Sequence, residues 1–582
     1  MVTVTGIAPG ASGVANGGEC TSGAADRTRN GSLRVAAVFS DHMVLQRETP
    51  VAVFGTAPAG GRVVVDLMDD QGVTVAQTMA VAQAYGEHET EAPWLAILPA
   101  LPASGPYTLR VSHETNRLEF ADVMIGEVWL AGGQSNMELE LHTSEHGDEA
   151  IAAADDPLLR FYNTPKAGRI DESAEAASGW EPALAPQVTG MSAIAYHFGA
   201  RLRAQLGADM AVGIIDCYIG GTSITSWMSR ATLIGSDAGR PYVERYEAAI
   251  AGKTEEQMRA EADEWQTVFD RWNNNVAAMK EAHPGITQPQ IDAEIGPCPW
   301  PPPVTPFSER RVSAPYEAMV RRVAPYTLRG FLWYQGEEDE AQCESYRELL
   351  GLLIEEWRTL WNLGGYAEPT VGYQADAGAD ALPFIVVQLP QWIDGQVAAR
   401  GEDPRHWPVI RAAQLDASET LHDVLLVCTM DCGEFDNIHP LDKTTVGTRI
   451  ADMALRGVYG RADVEAESPR VAGVTPAPGA LDVTFTNARG LHWRGTTPDT
   501  LRAAAGESGA RGAGESGFEI AGADGVYADA GARIMPGDGE RVTVRVEAPH
   551  VDSPTAVRYA WKSWGPAPLF NGAELPALPY AG

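Results

Sequence analysis

The sequence predicts an α/β protein, with a parallel sheet flanked by helices in the middle of the chain and a β domain before and after it. In the middle of the chain, short apolar runs without polar alternation are separated by helical segments, a pattern typical of parallel strands buried on both faces. On either side, apolar and polar residues alternate in short strands between Gly- and Pro-rich turns. The length, 582 residues, also exceeds what one hydrophobic core usually accommodates.

These patterns predict the domain limits. Residues 1–30, rich in Gly, Ala, Ser and Thr, are expected to form a disordered tail. An N-terminal β domain is predicted over 31–122, an α/β domain over 123–462 and a C-terminal β domain over 468–582. A polar segment rich in Glu, Arg and Trp, about 230–310, interrupts the α/β pattern, and we interpret it as an insertion that walls or covers a cleft.

The predicted parallel strands are apolar runs of four to six residues. They lie at 128–131, 210–215, 330–334, 383–388 and 424–428. Helices are predicted at Ala193–Leu206, where the apolar residues share one face, and at 344–361. Because ligands bind beyond the carboxyl ends of strands in an open parallel sheet, the residues that follow each strand are the informative ones.

Charge and composition exclude several classes of partner. The formal net charge of −35 disfavours nucleic acid and anionic membrane surfaces. No segment reaches the roughly 18 consecutive apolar residues that a membrane span needs, and no signal-peptide pattern is present, so a cytoplasmic location is expected. The cysteines and histidines do not fall at zinc-binding spacing, so we expect neither a metal nor a cofactor. The oligomeric state is left open.

Ser135 follows the first predicted parallel strand, in Gly132-Gly-Gln-Ser-Asn-Met137. Two glycines allow a tight strand-to-helix turn that presents the hydroxyl to solvent beside backbone N–H groups. Taken alone, the residue is better explained as a helix N-cap. Its interpretation as a nucleophile depends on the loops that follow the other strands.

Two further loops offer hydrogen-bond donors for a developing oxyanion. Gly220-Gly221 follows the second strand, where a glycine pair lets the backbone approach a ligand; a simple turn is the alternative. Gln335 follows the third strand in Trp333-Tyr-Gln-Gly-Glu337, and its side-chain amide is a candidate donor. This acidic loop is otherwise explained as a solvated surface.

Asp436 precedes His439 by three residues in the loop after the fifth strand. In a turn, that spacing lets the carboxylate accept a hydrogen bond from His439 Nδ1 and leaves Nε2 free as a base. A lone histidine is usually structural. The combination of a nucleophile, oxyanion donors, a base and an acid, all on loops after strands, predicts a hydrolase.

The chain resembles the sialate O-acetylesterase family of SGNH (GDSL-like) hydrolases. The motifs that carry the resemblance are Leu45-Gln46, Gly126-Glu-Val-Trp-Leu-Ala-Gly-Gly-Gln-Ser-Asn-Met137, Gly220-Gly-Thr222 with Trp227, Trp333-Tyr-Gln-Gly-Glu337, Trp357-Arg358, Asp436-Asn-Ile-His-Pro440 and Val557-Arg-Tyr-Ala-Trp561. The resemblance covers roughly residues 36–582 and implies an SGNH-hydrolase-like sheet.

The resemblance implies a role for each motif residue. Ser135 would be the nucleophile, His439 the base and Asp436 its orienting acid, with an oxyanion hole formed by the Ser135 N–H, Gly221 and Gln335. The expected substrate-binding residues are Gln134, Asn136, Trp227, Trp333, Glu337 and Arg411. Arg411 is the candidate contact for a sugar carboxylate, although a surface salt bridge is an equal alternative. Typical members carry Asn where this chain has Asp339, which puts the substrate preference in doubt.

The resemblance implies a serine esterase that hydrolyses O-acetyl esters of sialic acid through an acyl-enzyme. Acetylxylan or another acetylated polysaccharide is an alternative substrate on the same fold. A catalytically inactive carbohydrate-binding protein is an alternative of a different class.

Overall fold

The computed structural model describes residues 28–30, 32–84, 90–283, 286, 288–362, 382–495, 510–537 and 539–582. Residues 1–27 of the predicted tail therefore lie outside the described residues. Arg29–Asn30, which the sequence placed in that tail, instead forms a short strand that pairs with Leu33–Val35.

A sheet of seven strands, six of them mutually parallel, lies at the centre of the fold. In spatial order its strands are Trp180–Leu184, Asp155–Asn163, Val212–Tyr218, Asn116–Gly133, Gly330–Tyr334, Phe384–Val387 and Val424–Val427. All neighbouring pairs are parallel except the edge strand Trp180–Leu184. All five predicted parallel strands are present. Four have ends within three residues of the prediction, whereas the first begins at Asn116, twelve residues before its predicted start.

The order of the strands locates a ligand-binding crevice. After Asn116–Gly133 the chain adds strands on one side of it and then crosses to add the rest on the other side. Val212–Tyr218 and Gly330–Tyr334 are its two neighbours. In an open sheet, the crevice lies beyond the carboxyl ends of the strands where the winding direction changes. Here that point follows Gly133, directly before Ser135.

Two strands of this sheet were not predicted from the sequence. Asp155–Asn163 buries only Leu159 to Tyr162, because its first half is polar and partly exposed. Trp180–Leu184 is an antiparallel edge strand in which only Trp180 and Ala183 are buried. Neither strand has the continuous apolar run that marks a central parallel strand.

Helices cover both faces of the sheet. The longer ones are Ala193–Leu206, Tyr346–Trp361, His406–Thr420 and Lys443–Gly457. Shorter helical segments are Ser135–Glu138, Gly147–Ala153, Glu172–Ala177, Ile224–Trp227, Tyr316–Val320 and Gly395–Ala399. The first helix matches its predicted bounds. The second begins two residues later than predicted, because Glu337–Ser345 forms tighter helical turns.

The N-terminal β region shares a strand with the central sheet. Asn116–Gly133 is one continuous strand of 18 residues, so the predicted boundary at 122/123 falls inside it. Its first half pairs with N-terminal strands and its second half with the parallel strands. The N-terminal strands are Leu33–Val35, Val44–Gln46, Val51–Pro58, Arg62–Met68, Thr74–Val81, Glu91–Leu98 and Ser104–His113.

Glu127 explains two of the sequence motifs. This fully buried carboxylate accepts hydrogen bonds from Arg47, Arg329 and Gln46, and Gln46 in turn accepts from the Val128 N–H. A buried carboxylate needs such partners, because unpaired charge is costly away from water. The Leu45-Gln46 and Gly126-Glu127 motifs thus join the N-terminal strands to the central sheet.

The C-terminal region contains two antiparallel sheets. One contains Arg470–Ala477, Ala480–Thr486, Val542–Glu547, Gly531–Ile534 and Ala510–Arg511, and the other Tyr527–Asp529, Phe518–Ala521, Ala556–Tyr559 and Tyr580–Ala581. A further pair joins His492–Trp493 to Leu569–Phe570.

The insertion, residues 230–310, is helical as predicted. Its helices are Arg230–Gly235, Arg240–Ile250, Glu255–Ala282 and Gln288–Ile295. It has a small hydrophobic cluster separate from the main core, formed by Phe269, Trp272, Val276, Ile291 and Cys298. In the described part of the chain, no helix is long and apolar enough to cross a membrane.

Candidate active site

Ser135 lies at the carboxyl end of the strand Asn116–Gly133, at the first position of a short helix. The turn requires Gly133, whose φ is +140°, and a Cβ there would lie 2.1 Å from the carbonyl oxygen of Tyr334. No side chain except hydrogen fits between these two strands. The glycines of this motif therefore bring the serine to the crevice at the sheet edge.

The structure brings Ser135 and His439 together. His439 Nε2 lies 2.8 Å from Ser135 Oγ, although the two residues are 304 positions apart in sequence. The backbone N–H of His439 donates to Asn437 Oδ1 at 3.1 Å, and its carbonyl accepts from Asn437 Nδ2 at 3.0 Å. This distance and arrangement are those of a nucleophile and its general base.

The hydrogen bond predicted between Asp436 and His439 is absent from the structure. Asp436 Oδ1 accepts instead from the backbone N–H of Gly395 at 2.6 Å, and its Oδ2 is buried without a hydrogen-bond partner among the described residues. The backbone of Asp436 is left-handed, with φ +57°, and its carboxylate meets the start of the helix Gly395–Ala399. Burial, with a smaller contribution from the nearby Asp394, raises the pKa of Asp436 to about 6, against the hydrogen bond from the Gly395 N–H.

Two residues predicted to form an oxyanion hole have backbone N–H groups without a described acceptor. Ser135 and Gly221 both line the pocket that contains His439, and no described acceptor receives a hydrogen bond from either backbone N–H. Donors of this kind stabilise the negative oxygen of a tetrahedral intermediate. This part of the predicted oxyanion hole stays a prediction, and both residues lie at the pocket.

The prediction for Gln335 as a third oxyanion donor is wrong in this geometry. Its side chain is fully buried, and Nε2 already donates to Asp339 Oδ2 at 2.6 Å, and to Gln134 Oε1 and the Thr222 carbonyl at 3.1 Å each. An amide nitrogen has only two N–H bonds to give. Gln335 therefore links loops beneath the pocket.

Asp339, the position where the chain departs from its family, is also internal. Its carboxylate accepts hydrogen bonds from Ser223 Oγ, Tyr242 OH, Gln335 Nε2 and the Ile224 N–H. It is fully buried and joins the insertion to the sheet through Tyr242. Asp339 does not line the pocket, so this difference from the family does not change a direct contact with the substrate.

Four other predicted substrate contacts are buried away from the pocket. Asn136, Trp227, Trp333 and Arg411 have no exposed surface. Trp227 donates to Thr222 Oγ1 at 2.9 Å and contacts Trp333 edge to face. These two indoles pack in the hydrophobic core, as large aromatic side chains commonly do.

Arg411 joins the C-terminal region to the central sheet. Its guanidinium donates to the carbonyls of Leu389, Pro390, Lys562 and Ser563 at 2.7 to 3.2 Å. Burial without a carboxylate partner lowers its pKa to about 10. Its interpretation as a sugar contact is therefore wrong, because backbone carbonyls occupy its donors.

Asn136 lies in a buried polar network that the sequence did not reveal. Its Nδ2 donates to Glu337 Oε1 at 2.6 Å and to the Ile438 carbonyl at 2.9 Å, while its Oδ1 accepts from Lys443 Nζ at 2.7 Å. Burial lowers the pKa of Lys443 to about 8, although Glu337 opposes this shift. The network connects the residue after Ser135 to the residue before His439.

Of the predicted contacts, Gln134 and Glu337 do line the pocket. Gln134 uses its Oε1 to accept from Gln335 Nε2 and from the N–H groups of Gly336 and Glu338. Glu337 Oε2 is buried without a described partner. Both residues shape the floor of the pocket.

The insertion supplies the pocket residues that sequence analysis missed. The pocket is lined by Ser135 and His439 on one side and by Trp265, Gln266, Phe269, Trp300, Glu309 and Arg310 on the other. Trp265 stacks on Phe269, with ring centroids 4.8 Å apart, and its indole N–H donates to the Pro299 carbonyl. The abundance of tryptophan in the insertion was the sequence feature that could have identified these residues. It indicated that the insertion forms a wall of the cleft, but not which rings face the cleft.

Two neighbouring carboxyl groups in the pocket have raised pKa values. Burial raises the pKa of Glu337 to about 7, against the hydrogen bond from Asn136. Burial and the adjacent Asp339 raise the pKa of Glu338 to about 8, against the charge of Arg310. Both groups therefore hold protons over much of the range in which exposed glutamates are ionised.

The Glu338 shift predicts an unusual pH dependence of stability. Folded protein keeps the proton up to about pH 8, whereas the unfolded chain releases it near 4.5. The unfolded state then binds fewer protons, so this group lowers the free energy of unfolding as pH rises through that window. We expect Glu338→Gln to match wild type in acid and to gain stability relative to it at increasing pH. Urea denaturation at several pH values between about 4.5 and 8 measures this difference. If the free energies of unfolding of the two proteins change with pH in parallel, the raised pKa of Glu338 is contradicted.

The described residues contain no group of three or more His, Cys, Asp or Glu side chains that could hold a metal ion.

Comparison with known proteins places this fold and pocket among the esterases. Residues 304–456 match the family of carbohydrate esterases described as sialic acid-specific acetylesterases. The sialate O-acetylesterase of Mus musculus is 24% identical over 458 residues, which cover 75% of each chain. That of Homo sapiens is 22% identical over 468 residues, covering 76% of this chain and 75% of its own. A carbohydrate acetylesterase from Xanthomonas citri has a similar structure, with a TM-score of 0.65 and 25% identity, covering 94% of this chain and 99% of that one.

Fold, pocket and comparisons together define the class: the protein is an esterase with an α/β fold, and it is similar to carbohydrate esterases. Within that class, the resemblance to the sialate O-acetylesterase family that the motifs predict is confirmed.

Proposed function

We propose that this esterase hydrolyses O-acetyl esters of sialic acid through an acyl-enzyme formed on Ser135. The observation that carries the mechanism is the 2.8 Å contact between Ser135 Oγ and His439 Nε2 at the switch point of the sheet. The family match and the sialate O-acetylesterase relatives support the substrate. The strand order supports assignment of the central region to the SGNH hydrolases.

The reaction follows from the positions of these groups. Ser135 Oγ attacks the acetyl carbonyl carbon while His439 takes the hydroxyl proton. The N–H groups of Ser135 and Gly221 stabilise the oxyanion. His439 then gives the proton to the sugar oxygen, the C–O bond breaks, and the sugar alcohol leaves. Water, activated by His439, attacks the acetyl-serine and releases acetate.

In this proposal Asp436 acts once His439 becomes positively charged. Its Oδ2 is buried, has no described hydrogen-bond partner and lies on the loop that carries His439. Catalytic hydrogen bonds are often incomplete in a free enzyme and shorten in the reacting complex. The role predicts that Asp436→Asn loses activity while Ser135 remains in place.

The charge of the pocket favours a second candidate substrate. Of the four carboxyl groups that line it, Glu138 is paired with Lys166, and Glu337 and Glu338 have raised pKa values that favour their neutral forms. Arg310 is the one cation among the described lining residues, and its charge is already paired with Glu309, whose Oε1 lies 2.9 Å away. Such a lining gives little attraction for the carboxylate of sialic acid. A neutral acetylated saccharide such as acetylxylan fits this charge, and the aromatic wall suits the apolar faces of sugar rings.

Acetate release from O-acetylated sialic acid and from acetylated xylan, measured side by side, tests the proposal. We expect activity on the sialic acid ester and a mass increase of one acetyl group on wild-type protein quenched during turnover, but not on Ser135→Ala. Activity confined to xylan would select the second candidate. Release from neither substrate, nor from 4-nitrophenyl acetate, would contradict the proposed function.

A further inference from the structure

We propose that Arg310, supplied by the insertion, positions the oxyanion hole by fixing the peptide plane between Gly220 and Gly221. The inference rests on the proposed function, in which the Gly221 N–H stabilises the oxyanion. It assigns to Arg310 a positioning role, because the guanidinium contacts the donor loop. It also assigns to the insertion a role as a support of the catalytic loop.

The peptide group in question is held on its carbonyl side by Arg310. Arg310 Nε donates to the Gly220 carbonyl oxygen at 2.9 Å. The Gly220 carbonyl and the Gly221 N–H belong to one planar, trans peptide unit, in which the two bonds point in opposite directions. A donor that fixes the carbonyl on one side therefore aims the N–H to the other side.

The preceding peptide unit is held as well. The Gly220 N–H donates to Glu138 Oε2, and Glu138 is paired with Lys166 through its other oxygen. Glu138 belongs to the short helix that begins with Ser135. The loop is thus connected to the nucleophile on one side and to the insertion on the other.

A glycine pair needs such external restraint. Glycine reaches φ values on both sides of zero at little cost, so a Gly-Gly peptide unit rotates more easily than others. Gly221 has φ +67°, and a Cβ on it would lie 2.4 Å from the six-membered ring of Trp300. The loop therefore requires glycine for its shape and neighbouring groups for its rigidity. Oxyanion donors accelerate a reaction only when they are oriented before the charge develops.

Arg310 is itself held in place. Its guanidinium lies over the Trp300 ring, 5.7 Å from the centroid, and Nη1 lies 2.9 Å from Glu309 Oε1. Its side chain is only 24% exposed. Trp300 thus contacts both the arginine and Gly221, so two side chains of the insertion meet the donor loop. A charged donor also polarises the amide it binds, which strengthens the N–H at the other end of the unit.

A contact with the substrate carboxylate is the competing role for Arg310, and kinetics separate the two. An interaction made only in the transition state lowers kcat and kcat/KM together and leaves KM unchanged. A contact to the sialic acid carboxylate would raise KM for that substrate alone. 4-Nitrophenyl acetate has an acetyl ester but no carboxylate, so only the positioning role affects its hydrolysis.

The experiment compares Arg310→Met and Arg310→Lys with wild type on both esters. We expect Arg310→Met to lower kcat by about 10- to 100-fold on both, below the full cost of losing an oxyanion donor, with KM nearly unchanged. Arg310→Lys, which retains a cationic donor, should recover part of the rate. The matched control is Arg169→Met: Arg169 Nε also donates to a carbonyl, that of Pro306, and its guanidinium lies over Phe307, with no contact to the Gly220–Gly221 loop. This control should keep wild-type kcat.

Unchanged kcat on 4-nitrophenyl acetate in folded Arg310→Met would overturn the inference, as would a rise of KM confined to sialic acid. If Arg310→Met does not fold, Arg310→Lys provides the test: a smaller fall of kcat on both esters with KM nearly unchanged is expected, and an unchanged kcat on 4-nitrophenyl acetate would overturn the inference. Failure of the proposed function can be distinguished from failure of this inference. In the first case Ser135→Ala would retain wild-type activity, regardless of the effect of replacing Arg310.

Discussion

Replacement of Ser135 by alanine is expected to lower kcat for acetate release by about 10⁶-fold, the scale seen when a serine nucleophile is removed. The reason is that His439 Nε2, 2.8 Å from Ser135 Oγ, then has no hydroxyl to deprotonate, and no acyl-enzyme forms. His439→Ala should cost nearly as much. Because the two residues act as a unit, the double variant should be no slower than either single one. Single-turnover acetate release measures all three.

Ser144→Ala is the matched control for this prediction. Ser144 is a buried serine whose hydroxyl donates to the Leu141 carbonyl at 2.8 Å, and it does not line the pocket. It should retain wild-type kcat. If the fold losses in kcat of Ser135→Ala and His439→Ala multiply in the double variant, the two side chains act independently. That result would contradict the proposed mechanism.

Replacement of Asn136 by leucine is expected to lower the free energy of unfolding by about 3–5 kcal/mol, the scale of breaking a buried charge network. Three partners lose their hydrogen bonds at once: Glu337, Lys443 and the Ile438 carbonyl. Since Ile438 directly precedes His439, kcat should fall as well. Urea denaturation and acetate release measure the two effects.

Asn571→Leu tests whether the catalytic effect of Asn136 is specific. Asn571 is likewise buried, with four hydrogen bonds to backbone groups at Glu467, Asn487, Ala573 and Leu575, but it lies in the C-terminal region. It should destabilise the protein and leave kcat of the folded fraction unchanged. Equal kcat losses in both variants would indicate general loosening, and a stable Asn136→Leu would contradict the network.

Several features of the fold were readable from the chain, because local patterns specify them. The parallel strands bury both faces, so their apolar runs are continuous, as at Gly330–Tyr334, where predicted and observed bounds agree. Asp155–Asn163 was missed because half of it is polar. The boundary at 122/123 was misplaced because Asn116–Gly133 passes through it, and a strand shared between two sheets has no break in its local pattern.

For the candidate site, the positions of glycines and strand ends predicted the arrangement of the loops better than side-chain chemistry predicted which residues face the pocket. The loops after the strands were placed correctly in relation to one another, because parallel strands bring their carboxyl ends to one edge. Whether a polar side chain turns into the pocket or beneath it depends on its partners. Gln335 was predicted as an oxyanion donor, and the resemblance implied Asn136 and Arg411 as substrate contacts. The hydrogen-bonding groups of all three are instead occupied by buried partners.

The sequence by itself determined the parallel sheet, the glycine turn that presents Ser135 and the histidine that meets it, since these depend on local pattern and on strand topology. The tertiary structure alone decided which polar groups face the cleft. Hydrogen-bond partners far apart in sequence decide whether an amide or guanidinium supports the fold or faces the pocket, and no local pattern records them. For the same reason only the fold showed that Arg310, about 90 residues beyond Gly220, reaches back to its carbonyl oxygen.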